Sequence, residues 1–174
     1  MATIVENNVA HIVQRINVIW GKKPGKKTLQ KLIFLMEEKG VALGFDYGLH
    51  FYGPYSRAVE AVTDFLSAEG IIEFDYSGQS HSMSVNNEEF QVMPSELSCE
   101  QQELIDELIE KFNGSSPSEL ELLTTAIYAY NHLEDKSGES VVKGVQKIKG
   151  EKYSREQIQS TMRELPYFGK SLLQ

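Results

Sequence analysis

The sequence has 174 residues, of which 41% are hydrophobic and 24% charged, a composition typical of a folded domain that excludes long disordered segments. Its single cysteine, Cys99, excludes an intrachain disulfide and a zinc site built from several cysteines. The formal net charge is −8, and dividing the chain at Leu97 leaves both halves acidic, which disfavours a nucleic acid as the partner.

Two amphipathic helices are predicted at the start of the chain. Apolar residues recur at helical spacing over residues 4–20, and the breakers Gly21 and Pro24 follow them. A second apolar stripe predicts a helix over about residues 27–39, which Gly40 ends.

Five lysines fall within ten positions around the break between these two helices. An exposed lysine run of this kind is usually a solvated loop and helix start. The alternative is a local positive patch that contacts phosphates or an acidic partner. Lysines at a helix start also oppose the helix dipole, which favours the second interpretation slightly. The candidates for phosphate contact are Lys22, Lys23 and Lys26, and the run continues with Lys27 and Lys31.

An extended aromatic segment is predicted over residues 45–52, followed by a turn at Gly53 and Pro54 and a third helix over about residues 55–68. In a structural interpretation of this HFYGPYS segment, Gly53 supplies an unusual backbone conformation, Pro54 fixes φ and Ser56 caps the helix. In a functional interpretation, its aromatic residues lie at a partner surface, because tyrosine often anchors interfaces. That surface contains His50, Tyr52 and Tyr55.

A hairpin is predicted after the third helix, because apolar and polar residues alternate there with a period of two. Three helices followed by a hairpin is the order of a winged helix, so residues 1–94 are predicted to form a winged-helix-like module. Its helices are expected to share a core that contains Leu32, Ile33, Val62 and Leu66. The alternating strand positions are Ile72, Phe74, Tyr76, Met83 and Val85, with Phe90 and Val92 as a third short strand.

The third helix of a winged helix normally enters the major groove of DNA. Here its predicted exposed face offers one arginine against two carboxylates, and the hairpin adds two more carboxylates. This charge pattern predicts that the module binds protein rather than DNA. The residues of that helix face are Arg57, Glu60, Thr63, Asp64 and Ser67, and those of the hairpin are Glu73 and Asp75.

The C-terminal part is predicted to be a helical lobe over residues 95–174 that packs with the first module into one compact unit. Serine starts three of its helices with Gln or Glu three positions later, which is the capping-box spacing. The predicted helices cover about residues 99–113, 117–133, 139–149 and 155–165. The fold class is therefore α+β and mostly helical.

Signals for catalysis are weak in this sequence. The four histidines are scattered, and no metalloprotease, nucleophile-elbow, P-loop or dinucleotide-binding motif is present. We therefore expect a protein that is not an enzyme and needs no cofactor or metal. The first residues lack the pattern of a signal peptide and no apolar run could span a bilayer, so we expect a cytoplasmic protein without a membrane partner.

Several segments resemble the uncharacterised YwgA-like bacterial proteins, which look related to the SocA-like, or Panacea, antitoxin-associated domain. The segments are KKTLQKLIFLMEEKG (26–40), HFYGPYS (50–56), FLSAEGIIE (65–73), ELELLTTAIYAY (119–130) and VQKIKGEKYSREQI (145–158). The resemblance implies a mostly helical protein with a small sheet that acts in bacterial regulatory or toxin–antitoxin-like systems. Its partner would then be a protein, such as a toxin or a protease-adaptor system.

Two functional hypotheses follow. The first is a protein-binding regulatory module, antitoxin-like in the sense of the resemblance, and the alternative is a DNA-binding winged-helix regulator. For the first, the predicted partner-binding residues are Tyr52, Tyr55 and Arg57, with Lys27 and Lys31 nearby.

Overall fold

A computed structural model describes residues 2–86 and 96–174, and the chain divides into two compact units. Unit 1 comprises Met1–Tyr47 and Ser56–Gly114, and unit 2 comprises Gly48–Tyr55 and Ser115–Gln174. Each unit contains α-helices and a two-stranded antiparallel sheet, so the fold class is α+β and mostly helical, as predicted.

The elements follow the predicted order closely. The helices are α1 (Ile4–Trp20), α2 (Lys26–Glu38), α3 (Arg57–Ala68), α4 (Cys99–Lys111), α5 (Pro117–His132), α6 (Gly138–Lys149) and α7 (Arg155–Thr161), and a 3-10 helix covers Met162–Phe168. The strands are β1 (Gly48–His50), β2 (Gly53–Tyr55), β3 (Ile72–Asp75) and β4 (Ser82–Val85).

Unit 1 is built around α1, which contacts α3, α4 and β4. Leu32, Ile33 and Leu66 are buried there, as predicted. Val62 is only half-buried, and Thr63, which was predicted to be exposed, is buried instead. The buried residues of α3 are thus Val59, Thr63 and Leu66, with Thr63 in place of the predicted Val62. The Thr63 hydroxyl donates a hydrogen bond to the carbonyl of Glu60 at 2.8 Å, which offsets the free-energy cost of burying it.

The predicted hairpin of unit 1 is confirmed as β3 and β4. Ile72 pairs with Val85 and Phe74 with Met83, so the alternating apolar residues share the pleat. Asn17 of α1 fixes β4 from the side: its amide donates to the carbonyl of Met83 at 3.1 Å and accepts from the amide of Val85 at 3.2 Å. The third strand predicted at Phe90 and Val92, and the boundary predicted after Pro94, lie outside the described residues.

Helix α3 begins at Arg57, two residues later than predicted, because Ser56 is its cap. The Ser56 hydroxyl accepts a hydrogen bond from the amide of Val59 at 3.4 Å. Gln30 of α2 then holds the backbone of Ser56 with both ends of its side-chain amide. It donates to the Ser56 carbonyl at 2.8 Å and accepts from the Ser56 amide at 3.0 Å.

Unit 2 is built around α5, which contacts α6, α7, the 3-10 helix and β2. The predicted capping boxes are present at Ser116 and Ser154, and Ser137 caps α6. Helix α4, which was predicted to belong to the C-terminal lobe, lies in unit 1 instead. Both carboxylate oxygens of its Asp106 accept hydrogen bonds from the guanidinium of Arg15 in α1, at 2.8 and 2.9 Å.

The predicted turn at Gly53 and Pro54 is wrong by two residues. Strand β1 pairs with β2 in the register Gly48 with Tyr55, Leu49 with Pro54 and His50 with Gly53. Phe51 and Tyr52 therefore form the tip of this hairpin, and the Gly-Pro pair lies in its second strand. Gly53 still has the conformation expected of it, with φ of +90° directly after the tip.

Candidate binding site

The hairpin of unit 2 exposes large apolar side chains at its tip. Phe51 is 79% exposed, and Leu49 and Tyr52 are exposed as well. All three residues of β1 are exposed, whereas Gly53 and Pro54 of β2 are buried. We call Leu49, Phe51 and Tyr52 the tip cluster.

Aromatic contacts order the side chains around this tip. The rings of Phe51 and Tyr52 meet edge to face with centroids 5.1 Å apart. The His50 ring lies over Tyr55, with centroids 4.9 Å apart and a tilt of 31°. The exposed rings thus contact neighbouring rings and do not project singly into solvent.

A buried lysine holds the backbone of the tip. Lys149, the last residue of α6, donates a hydrogen bond from Nζ to the carbonyl oxygen of Phe51 at 2.9 Å. Its Nζ also lies 2.7 Å from Oε1 of Glu121 on α5, and the side chains are only 4% and 7% exposed. The α5–α6 pair therefore positions the tip through a charge-assisted contact.

A second lysine meets the same carboxylate oxygen. Lys152 Nζ lies 2.7 Å from Oε1 of Glu121, and its side chain is 43% exposed. Burial raises the pKa of Glu121, but its hydrogen bonds with the two lysines and their charges outweigh that effect, so its pKa lies below the ordinary value. The hydrogen bond with Glu121 raises the pKa of Lys152.

Two aromatic rings flank Lys152. Its Nζ lies 6.0 Å from the centroid of the Tyr52 ring and 5.4 Å from that of Tyr153. Tyr153 is buried, which raises its pKa, and its hydroxyl lies 3.2 Å from the Ser118 hydroxyl. Unit 2 therefore places a partly exposed ammonium group beside the exposed ring of Tyr52. We call Glu121, Lys149 and Lys152 the charge cluster.

The residues predicted for the partner surface are divided between the two units. Tyr52 and Tyr55 belong to unit 2, whereas Arg57, Lys27 and Lys31 belong to unit 1. Arg57 and Lys27 are exposed, as the prediction requires. Lys31 is only 3% exposed, so the expectation of an accessible positive charge there is wrong. It lies in the run of residues 28–36 of α2, all of which are buried, and the lysine stem is apolar enough to pack there.

The remaining lysines of the predicted phosphate patch have acidic or aromatic neighbours within unit 1. Lys23 lies 3.6 Å from Asp75 and Lys26 lies 3.2 Å from Asp64. Lys22 lies over the Trp20 ring at 5.5 Å. Exposed pairs of this kind contribute little stability, yet they offset part of the positive charge that the sequence pattern predicted.

The charge cluster was not predicted from the sequence. Glu121 precedes Lys149 by 28 positions and Lys152 by 31, so no local spacing joins the carboxylate to the two lysines. One signal was present: Glu121 interrupts an apolar run of α5 between Leu120 and Leu122, where a carboxylate needs a partner if it is buried.

Within residues 2–86 and 96–174, no group of three or more His, Cys, Asp or Glu side chains is arranged to hold a metal ion. In the same part of the chain, no helix combines the length and the apolar character needed to cross a membrane. That the protein is not an enzyme and needs no cofactor stays a prediction.

Comparison of the chain with protein-family models and with curated proteins finds no match. The resemblance to the YwgA-like and SocA-like proteins therefore stays a prediction.

Proposed function

We propose that this chain is a non-enzymatic, protein-binding regulatory module, and that the tip cluster is the centre of its binding surface. The observation that carries the proposal is the 79% exposure of Phe51 on a hairpin whose backbone is held by buried Lys149. An exposed aromatic side chain on an anchored backbone loses little conformational freedom on binding, so more of its contact energy contributes to affinity.

The regulatory part of the proposal rests on the resemblance to antitoxin-associated bacterial proteins. In its sharper form, the partner is a toxin, and binding at the tip cluster neutralises it. A protein partner also suits the acidic balance of the chain better than a nucleic acid does.

Affinity capture tests the proposal. The full chain is used as bait for proteins of its native host, and retained proteins are quantified by mass spectrometry. We expect a protein that wild type retains and the double variant Phe51→Ser, Tyr52→Ser does not. Tyr76→Ser is the matched control, because Tyr76 is an exposed aromatic residue beside the other hairpin. Equal retention by the double variant, with its melting temperature unchanged, would contradict the proposal.

The two tyrosines of this hairpin should separate under mutation. Tyr52 is exposed, so Tyr52→Ala should weaken capture while leaving the melting temperature nearly unchanged. Tyr55 is half-buried against His50, so Tyr55→Ala should lower the melting temperature first. Thermal unfolding followed by circular dichroism measures the second effect. Loss of stability in both variants would mean that the tip is part of the core and not a binding surface.

DNA binding by unit 1 is the second candidate function, and the exposed residues Lys22, Lys23 and Lys27 favour it. The charges of Asp64 and Asp75 weigh against it, because these carboxylates pair with the neighbouring lysines of the same run. We rank it below protein binding for that reason.

A further inference from the structure

We propose that the partner of the tip cluster is an acidic peptide segment, in which a carboxylate pairs with Lys152 and an apolar side chain packs on Phe51 and Tyr52. This inference rests on the proposed function and specifies the chemistry of the partner at the same site.

The charge cluster carries one positive charge in excess. Lys149 and Lys152 both pair with Oε1 of Glu121, at 2.7 Å each, so two ammonium groups share a single carboxylate. Among the described residues, Glu121 is the carboxylate within ion-pair distance of either lysine. A second carboxylate, supplied by a partner, would balance the cluster.

The segment that contains both lysines is itself rich in basic residues. Residues 147–155 contain four basic residues and one acidic residue, in a protein whose net charge is −8. Lys149 and Lys152 share Glu121, and Arg155 pairs with Glu139 of α6. The positive potential of unit 2 is therefore concentrated at the end of α6 and the loop after it, where Lys149 also holds the tip.

Exposure decides which lysine meets the partner. The Lys149 side chain is only 4% exposed, whereas that of Lys152 is 43% exposed. The Nζ of Lys152 lies 6.0 Å from the centroid of the Tyr52 ring. A carboxylate can approach Lys152 from solvent without displacing Glu121. A residue next to that carboxylate would then reach the exposed rings of the tip, which favours a segment that alternates acidic and apolar residues.

Selection from a library of random 12-residue peptides displayed on phage, with the full chain immobilised, tests the inference. We expect the selected peptides to be enriched in Asp or Glu next to Phe, Leu, Tyr or Trp. Binding of a fluorescein-labelled selected peptide, measured by anisotropy, should weaken about tenfold in Lys152→Met and should fall with added salt. Lys143→Met is the matched control, because Lys143 is an exposed lysine of α6 away from the tip.

A charge reversal sharpens the test. Lys152→Glu should lose the acidic peptide and should bind a version in which the acidic residues are replaced by lysine. Lys152→Met remains decisive if Lys152→Glu fails to fold, since a neutral side chain adds no repulsion against Glu121.

The outcomes distinguish this inference from the proposed function. Selected peptides that depend on Phe51 and Tyr52 but show no acidic preference, or that bind Lys152→Met as tightly as wild type, would overturn the inference alone. Failure to select any peptide that depends on the tip would overturn both. Tighter binding of a labelled 20-base-pair duplex through Lys152, or a dimer lost in Phe51→Ser, would assign the site to a phosphate backbone or to a second copy and would also overturn the inference.

Discussion

Glu121 is a buried carboxylate of unit 2 that pairs with two lysines. A carboxylate and an ammonium group taken out of water each lose hydration, and their attraction repays that loss only when the pairing is close. Here one oxygen of Glu121 meets two ammonium groups at 2.7 Å, and one of these, Lys149, also holds the tip carbonyl. Removing the carboxylate would leave Lys149 buried without its counter-charge.

We therefore predict that Glu121→Gln destabilises the protein by about 3–5 kcal/mol at pH 7, the usual cost of breaking a buried ion pair. Because the pKa of Glu121 is lowered in the folded state, its contribution is present above the ordinary glutamate pKa of about 4.3 and is lost as the pH falls through the folded value. The difference in melting temperature between wild type and variant should thus be widest near pH 7 and should narrow as the pH falls below the ordinary glutamate pKa.

Thermal unfolding followed by circular dichroism between pH 3 and 7 checks this prediction. Glu134→Gln is the control, since Glu134 is exposed and its replacement should leave the melting temperature nearly unchanged at every pH. A difference for Glu121→Gln that stays constant across this range would show that the carboxylate charge is not what stabilises unit 2.

At the level of single residues, the sequence predicted apolar positions well and polar ones poorly. Leu32, Ile33 and Leu66 were expected in the core and lie there. Thr63 and Lys31 were expected at the surface and are buried. Helical periodicity identifies a stripe, but a hydroxyl that bonds its own helix, or a long apolar stem, can enter that stripe without changing the pattern.

At the level of elements, one face of α2 fixes the chain on both sides of the tip hairpin. Gln30 holds the backbone of Ser56, which follows the hairpin. The Phe34 ring packs edge to face on Tyr47, which precedes it, with centroids 5.0 Å apart. Glu37 accepts a hydrogen bond from the amide of Phe45 at 2.9 Å. Residues 30, 34 and 37 share a helix face, so one face of α2 holds Phe45, Tyr47 and Ser56 within unit 1.

Gln30→Ala should therefore cost more than a typical polar substitution. The variant leaves the buried amide and carbonyl of Ser56 without their partner, and each such group costs about 1–3 kcal/mol. Chemical denaturation with urea measures the change in the free energy of unfolding. Gln146→Ala, at an exposed position of α6, should change it by less than about 0.5 kcal/mol. If Gln30→Ala lowers the free energy of unfolding by as little as Gln146→Ala does, water has taken the place of the Gln30 side-chain amide at the backbone of Ser56.

Helix ends were predicted better than the hairpin was. Serine caps with Gln or Glu three positions later fixed the starts of α4, α5 and α7 to the residue. The tip was misplaced because Gly-Pro is a strong turn signal, whereas here the pair occupies β2 and Phe51 and Tyr52 turn the chain. Pairing across the strands, which depends on contacts outside the segment, decided the register.

On the scale of the whole molecule, the negative charge belongs to one unit. Unit 2 contains eight basic and eight acidic residues, so the formal net charge of −8 lies entirely in the sequence of unit 1. Unit 1 is the part that would have to bind DNA in the winged-helix hypothesis. Its lysine run is thus a locally positive segment in a unit whose net charge is negative.

We predict weak and non-specific DNA binding at most. Anisotropy of a labelled 20-base-pair duplex should give a dissociation constant no tighter than about 10 µM at 150 mM salt, and the affinity should fall steeply with salt. Replacing Lys22, Lys23 and Lys27 by glutamate should abolish what binding remains. A tight, sequence-selective complex at this salt concentration would instead support the DNA-binding regulator.

The division into units could not be predicted from local patterns. The sequence places the segment around Tyr52 between two helices of the N-terminal module, and nothing local indicates that β2 contacts α5, more than 60 residues further along. The same holds for α4, whose capping signal resembles those of the C-terminal helices although it packs with α1. Long-range packing of this kind leaves no periodicity in the sequence.

The position of the tip in the chain has a consequence for synthesis on the ribosome. Phe51 emerges 98 residues before Lys149, the lysine that holds its carbonyl oxygen. At elongation rates of about 5–20 residues per second, the unanchored tip exists for roughly 5–20 s in every round of translation. During that interval the backbone that carries the exposed aromatic side chains lacks its Lys149 contact. A nascent chain should therefore bind chaperones at the same segment that we propose as the partner-binding surface.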